Sequence, residues 1–108
     1  MAHTSTVTLT GASGETYLFY CYALNSTFVK SEGLYLFSKL VENTHRLIYL
    51  GMTQDLSSRF TNHHQQTCID REGANTISIH WLTGKQTLLD TETDILDNYA
   101  FSCNERGN

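Results

Sequence analysis

Two short apolar runs, residues 34–37 and 47–50, lie on either side of the polar segment Glu42-Asn43-Thr44-His45. Four consecutive apolar residues suit a buried strand better than a packed helix. A polar, turn-prone link between two such runs makes them antiparallel neighbours. The spacing predicts strands over residues 33–39 and 46–52. Gly33 opens the first and Gly51 lies near the end of the second. Tyr35 and Tyr49 then sit on adjacent strands and share a face if the register allows.

The rest of the chain supplies partners for this pair. Val7 and Leu9 alternate with Thr6, Thr8 and Thr10, which predicts a strand over residues 6–10. The turn Gly11-Ala12-Ser13-Gly14 leads to a strongly apolar strand over residues 16–23, completing an N-terminal β-hairpin. Thr53 or Asp55 caps a predicted helix reaching residue 64, with Leu56 and Phe60 as its buried pair. A short helix over residues 68–72 ends at Gly73. Residues 76–82 alternate as a strand, with Ile77, Ile79 and Trp81 facing one way and Ser78 and His80 the other. Residues 85–99 form the last predicted helix. Its apolar stripe is Leu88, Leu89, Ile95, Leu96 and Tyr99, and Asp90, Asp94 and Asp97 point to solvent. The expected architecture is α+β: a small antiparallel three-stranded sheet flanked by helices, with an extra hairpin over residues 1–30 packed on a core of residues 31–108.

Size and composition narrow the function classes. The 108 residues make one domain, and 40% hydrophobic with 17% charged residues exclude a disordered chain. No apolar stretch is long enough for a transmembrane helix, so no membrane partner is expected. Residues 1–10 lack a basic region followed by an apolar block, which leads to a cytoplasmic expectation. Cys21, Cys68 and Cys103 are an odd count without a CxxC pair, so free thiols are expected and a thiolate zinc site is not. The net charge is -4 and the seven Lys and Arg form no run. Any phosphate contact must therefore be local, or aided by a metal ion or a partner.

Glu92 is the anomaly of the last helix. It lies three and four positions from Leu89, Leu88, Ile95 and Leu96, in the middle of the apolar stripe. A partly buried carboxylate needs a cation, an arginine or a route to water. A hard divalent ion that keeps several waters would satisfy it. Arg59 and His63, at i and i+4, project from one helix face, as a phosphate-binding fork beside a proton shuttle or as an ordinary solvated surface. His64 is the competing position and is read as outward-facing, as are His45 and His80. Tyr35 and Tyr49 are packing residues or, beside a cation, groups that position water.

Taken together, Gly33-Leu34-Tyr35, Tyr49-Leu50-Gly51, Arg59, His63, Glu92 and Asn104 resemble the GIY-YIG endonuclease superfamily. The resemblance runs from Gly33 to Asn104. Leucine replaces isoleucine in both tripeptides, and Met52 stands where a polar residue often follows the second. The resemblance implies one-metal hydrolysis of DNA phosphodiesters with Mg2+ or Mn2+. Glu92 would hold the metal, Tyr35 would help activate water, and Tyr49 would bond water or phosphate. Arg59 would steady the scissile phosphate and His63 would assist proton transfer. Gly51, Arg59 and Asn104 would line the substrate side. The alternative is a nuclease-derived module that binds nucleic acid or protein without cutting. The threonine-rich edge strand would also suit a homodimer or a protein partner.

Overall fold

The computed structural model describes residues 3–58 and 65–104. Five strands and two helices follow one another: β1 (Ser5–Thr10), β2 (Thr16–Ala23), β3 (Gly33–Val41), β4 (Thr44–Thr53), α1 (Gln66–Arg71), β5 (Thr76–Trp81) and α2 (Lys85–Leu96). All five strands join one sheet in the order β1-β2-β5-β3-β4, antiparallel throughout and curled into a half-barrel.

This corrects the expected three-stranded sheet flanked by helices. The N-terminal hairpin continues the sheet, because β2 pairs with β5 from Tyr20↔Ile79 to Ala23↔Thr76. Local patterning marked the hairpin but could not name its neighbour, since the pairing joins segments far apart in the chain. The physical reason lies in β5. Ile77, Ser78 and Ile79 are all buried, so this strand needs a partner on each edge, and β3 supplies only one. α1 is a six-residue helix near the short one expected over residues 68–72, α2 ends at Leu96 and not at residue 99, and most of the helix expected up to residue 64 falls outside the described residues.

The β3–β4 turn is tighter than the sequence suggested. Glu42 and Asn43 both have positive φ, 50° and 65°, the pattern of a two-residue hairpin turn whose twist matches that of the strands. The strands therefore extend to Val41 and begin again at Thr44, which places His45 within β4.

Alternation along β3 divides the core in two. Tyr35 and Phe37 join Tyr22, Tyr49, Ile77 and Ile79 on one face. Leu34 and Leu36 join Leu9, Phe19 and Leu50 on the other, where α2 seats Leu88 and Ile95. A bulge opposite Phe37 and Ser38 adds Ile48 to β4, and Ile48 and Tyr49 both enter the aromatic face.

Two long-range ties fix this arrangement. Asp94 of α2 lies at the surface, as expected, but is not free there. Its carboxylate accepts from the Ser13 N–H (2.9 Å), the Ser13 hydroxyl (2.7 Å) and the Tyr17 hydroxyl (2.7 Å). These bonds hold its carboxyl below the usual carboxylate range and clamp the β1–β2 turn to the helix. The second tie corrects the expectation of three free thiols. Cys68 and Cys103 form a disulfide between α1 and the C-terminal tail, and Cys21 is the buried free thiol. Sequence spacing cannot report which cysteines meet, and an odd count favoured the wrong reading.

Candidate functional site

Pairing of β3 with β4 sets Tyr35 directly opposite Gly51, and Phe37 opposite Tyr49. Tyr35, Phe37, Tyr49 and Gly51 thus share one face, which the sequence left open. A methyl group at Gly51 would lie 2.5 Å from the Tyr35 ring and hydroxyl and 2.9 Å from the Tyr49 ring. Only glycine leaves room for the Tyr35 ring to cross β4, so the second tripeptide is a packing requirement of the first. Gly33 works similarly at the other end. A methyl there would meet the His80 carbonyl at 2.7 Å and the Leu56 side chain at 3.1 Å.

The two tyrosines act as a pair. Their ring centroids are 6.1 Å apart and the planes are tilted by 32°. Their hydroxyls share a hydrogen bond, which adds to what lifts the Tyr35 pKa and offsets part of what lifts that of Tyr49. Burial is the main cause that lifts both phenols above their ordinary value. The Glu92 charge lifts both further. Glu92 stands half-buried on α2, beside the buried Thr91 and Ile95. Its carboxylate, from the far end of the chain, is therefore felt at both hydroxyls.

Asn104 reaches the same strand by another route. Its side-chain amide accepts from the Leu50 N–H at 2.8 Å and donates to the Leu50 carbonyl at 2.9 Å. With the Cys103 N–H donating to the Ile48 carbonyl at 2.8 Å, the tail lines the outer edge of β4 beside Tyr49 and Gly51. Arg59 and His63 lie outside the described residues. The structure thus brings Tyr35, Tyr49 and Gly51 together, sets Glu92 within electrostatic reach of the two hydroxyls, and holds Asn104 against the backbone of Leu50.

The half-buried Glu92 carboxylate is the one anionic oxygen donor here and suits a hard divalent cation that keeps most of its water shell, while the protonated phenols can bond only its waters. Among the described residues no three of His, Cys, Asp and Glu cluster as a dedicated metal cage.

Two features escaped the sequence reading. His45 turns inward from β4, with its Nδ1 2.8 Å from the Ser38 hydroxyl and its Nε2 3.9 Å from the Cys21 thiol, and burial lowers its pKa. His80, also expected outward, places Nδ1 2.8 Å from the Leu18 carbonyl. The second feature is a cleft of about 590 Å³ beside the tyrosine pair, floored by Phe28, Phe37, Leu56 and Ile69. Phe37 was legible as a strand residue, but nothing local showed that the loop at Phe28 would fold over it.

No protein-family model, curated protein or solved structure matches this chain.

Proposed function

We infer that this chain is a metal-dependent endonuclease that hydrolyses DNA phosphodiester bonds, with a GIY-YIG-like site built on Tyr35, Tyr49, Arg59, His63 and Glu92. One observation carries the reading: β3 and β4 set Tyr35 and Tyr49 ring to ring beside Gly51, with the Glu92 charge in electrostatic reach of both hydroxyls.

The reaction forms a bond from a water oxygen to phosphorus and breaks one ester P–O bond, and the departing oxygen takes a proton. Glu92 would hold Mg2+ or Mn2+, which would supply neutralisation of phosphate charge and more acidic water. The residues supply position. Burial and Glu92 keep both phenols protonated at neutral pH. Tyr35 and Tyr49 then act first as hydrogen-bond donors that orient water and phosphate. Proton acceptance by Tyr35 requires a cation to offset the Glu92 charge, a role this reading gives to Arg59 with the bound ion. Arg59 also steadies the phosphate, and His63 serves as the proton carrier.

Among the described residues no helix is long and apolar enough to cross a membrane. DNA is the proposed partner and the cytoplasm the proposed setting, although an oxidising compartment is what preserves a bridge such as Cys68–Cys103.

The test is nicking of supercoiled plasmid with Mg2+ or Mn2+. Wild-type protein should convert it to open circles, Glu92→Ala should abolish conversion, and Tyr35→Phe should slow it by about 10²-fold or more. Intact plasmid, branched DNA and single strands with both metals would remove the nuclease reading.

A further inference from the structure

We propose that β1 is the docking edge for a second copy of this chain, joined antiparallel about a two-fold axis at Val7, so that the two sheets become one. The proposal stands apart from the nuclease reading, and neither depends on the other.

The backbone of this edge sets the register. Thr10 turns its N–H to the Tyr99 hydroxyl (2.8 Å) and its carbonyl to the Asn98 amide (2.7 Å), away from β2, while Gly11 donates to the Glu15 carbonyl (2.8 Å). Backbone groups of an antiparallel strand alternate between its two sides. Thr8 and Thr6, two and four places before Thr10, therefore also aim N–H and C=O outward, and both residues are exposed. Leu18, opposite Thr8 on β2, agrees: its carbonyl points to the far side, 2.8 Å from His80 Nδ1. Among the described residues nothing bonds the outward groups of Thr6 and Thr8. These groups complement themselves. With Thr6 of one copy opposite Thr8 of the other, every one of them finds a donor or an acceptor. A centre at Thr6 or at Thr8 would instead spend a residue on Thr4 or Thr10, whose N–H groups are already bonded. Only the centre at Val7 uses the whole edge.

The side chains argue for the same occupant. Exposed edges are commonly guarded by lysine, proline or an inward charge. Here no Lys or Arg precedes Lys30, the chain has no proline, and β1 holds only Ser, Thr, Val and Leu. Two copies, each with a net charge of -4, thus meet where neither strand carries charge, which spares the contact a like-charge repulsion. Val7 is half-buried at the rim of the core beneath α2. At the axis it faces its own counterpart in a closely spaced pair, and each valine covers what the other leaves open to water.

Sedimentation of the full chain tests this. Wild-type protein should be a dimer at millimolar concentration and dissociate on dilution. Thr8→Pro deletes an outward N–H in each copy and leaves the bonds between β1 and β2 in place, because proline is tolerated where an edge strand's N–H faces outward. It should keep the fold and raise the dimer dissociation constant by at least about tenfold. Val7→Cys gives a readout that does not depend on that variant folding. Oxidised with diamide, it should cross-link into covalent dimers, whereas Thr8→Cys, which lies opposite Thr6 and not itself, should cross-link far less. Wild-type protein that stays monomeric at millimolar concentration overturns the proposal. So do oligomers larger than the dimer, an undiminished dimer in folded Thr8→Pro, or cross-linking as efficient through Thr8→Cys as through Val7→Cys.

Discussion

At Gly51 a single hydrogen atom decides whether the site exists. The Tyr35 ring occupies the volume that any side chain there would fill. Gly51→Ala should cost about 1–3 kcal/mol through overpacking. Most of that cost should vanish when Tyr35 is already alanine, a coupling that a double-mutant cycle in urea reads directly. The tyrosines also give alkaline stability a definite sign. Below pH 10 the phenols are protonated in both folded and unfolded chains. Above pH 10 the unfolded chain releases protons that Tyr35 and Tyr49 retain, because burial and Glu92 hold their folded pKa values higher. The folded chain binds more protons there, so stability should fall as pH rises past 10. Replacing both tyrosines with phenylalanine should flatten that slope without removing it, since Tyr17 and Tyr22 are raised too. Denaturant midpoints from pH 8 to 11 check this.

At the scale of elements, β4 depends on a side chain that imitates a strand. Asn104→Ala would leave both backbone groups of Leu50 without their amide partner, at about 1–3 kcal/mol, and speed hydrogen exchange at the Leu50 amide. Asn104→Asp retains the acceptor for the Leu50 N–H but sets a carboxylate oxygen against the Leu50 carbonyl, so its loss should shrink as pH falls and the carboxyl protonates. This contact shows where sequence reading stopped. Residues 33–39, 46–52 and 76–82 were legible as strands because their own alternation or apolar runs report burial. The tripeptides also marked Tyr35 and Tyr49 as neighbours. Asn104 could be singled out by resemblance, but its bonds to Leu50 could not, because they depend on how the tail returns to an edge strand. Asp94 escaped for a related reason. A carboxylate three or four places from other acids reads as a solvated face, and the Ser13 and Tyr17 donors that engage it there belong to a distant hairpin. β2 carried a clear strand signal yet no hint of its partner β5. Local pattern identifies elements, while pairing over long separations is settled by the buried edge that would otherwise stay open.

For the whole molecule, the Cys68–Cys103 bridge closes a loop with a sequence separation of 35. Loop-closure entropy puts its contribution at about 3–4 kcal/mol. Reduction should lower the melting temperature by roughly 15 °C. The double variant Cys68→Ser/Cys103→Ser should melt with reduced wild-type protein, and calorimetry with and without a thiol reductant measures both. Because the tail bearing Asn104 is tethered next to this bridge, reduction should also quicken exchange at Leu50 while sparing β2 and β5. The tail has one more effect. By lying along residues 47–50 it covers the middle of that flank. On the far flank, β1 is covered at Thr10, whose N–H donates to the Tyr99 hydroxyl and whose carbonyl accepts from Asn98. The longest run of open strand backbone is therefore residues 5–9 of β1, and two copies joined there would form a closed pair, with both of those edges used up, and not a growing fibre.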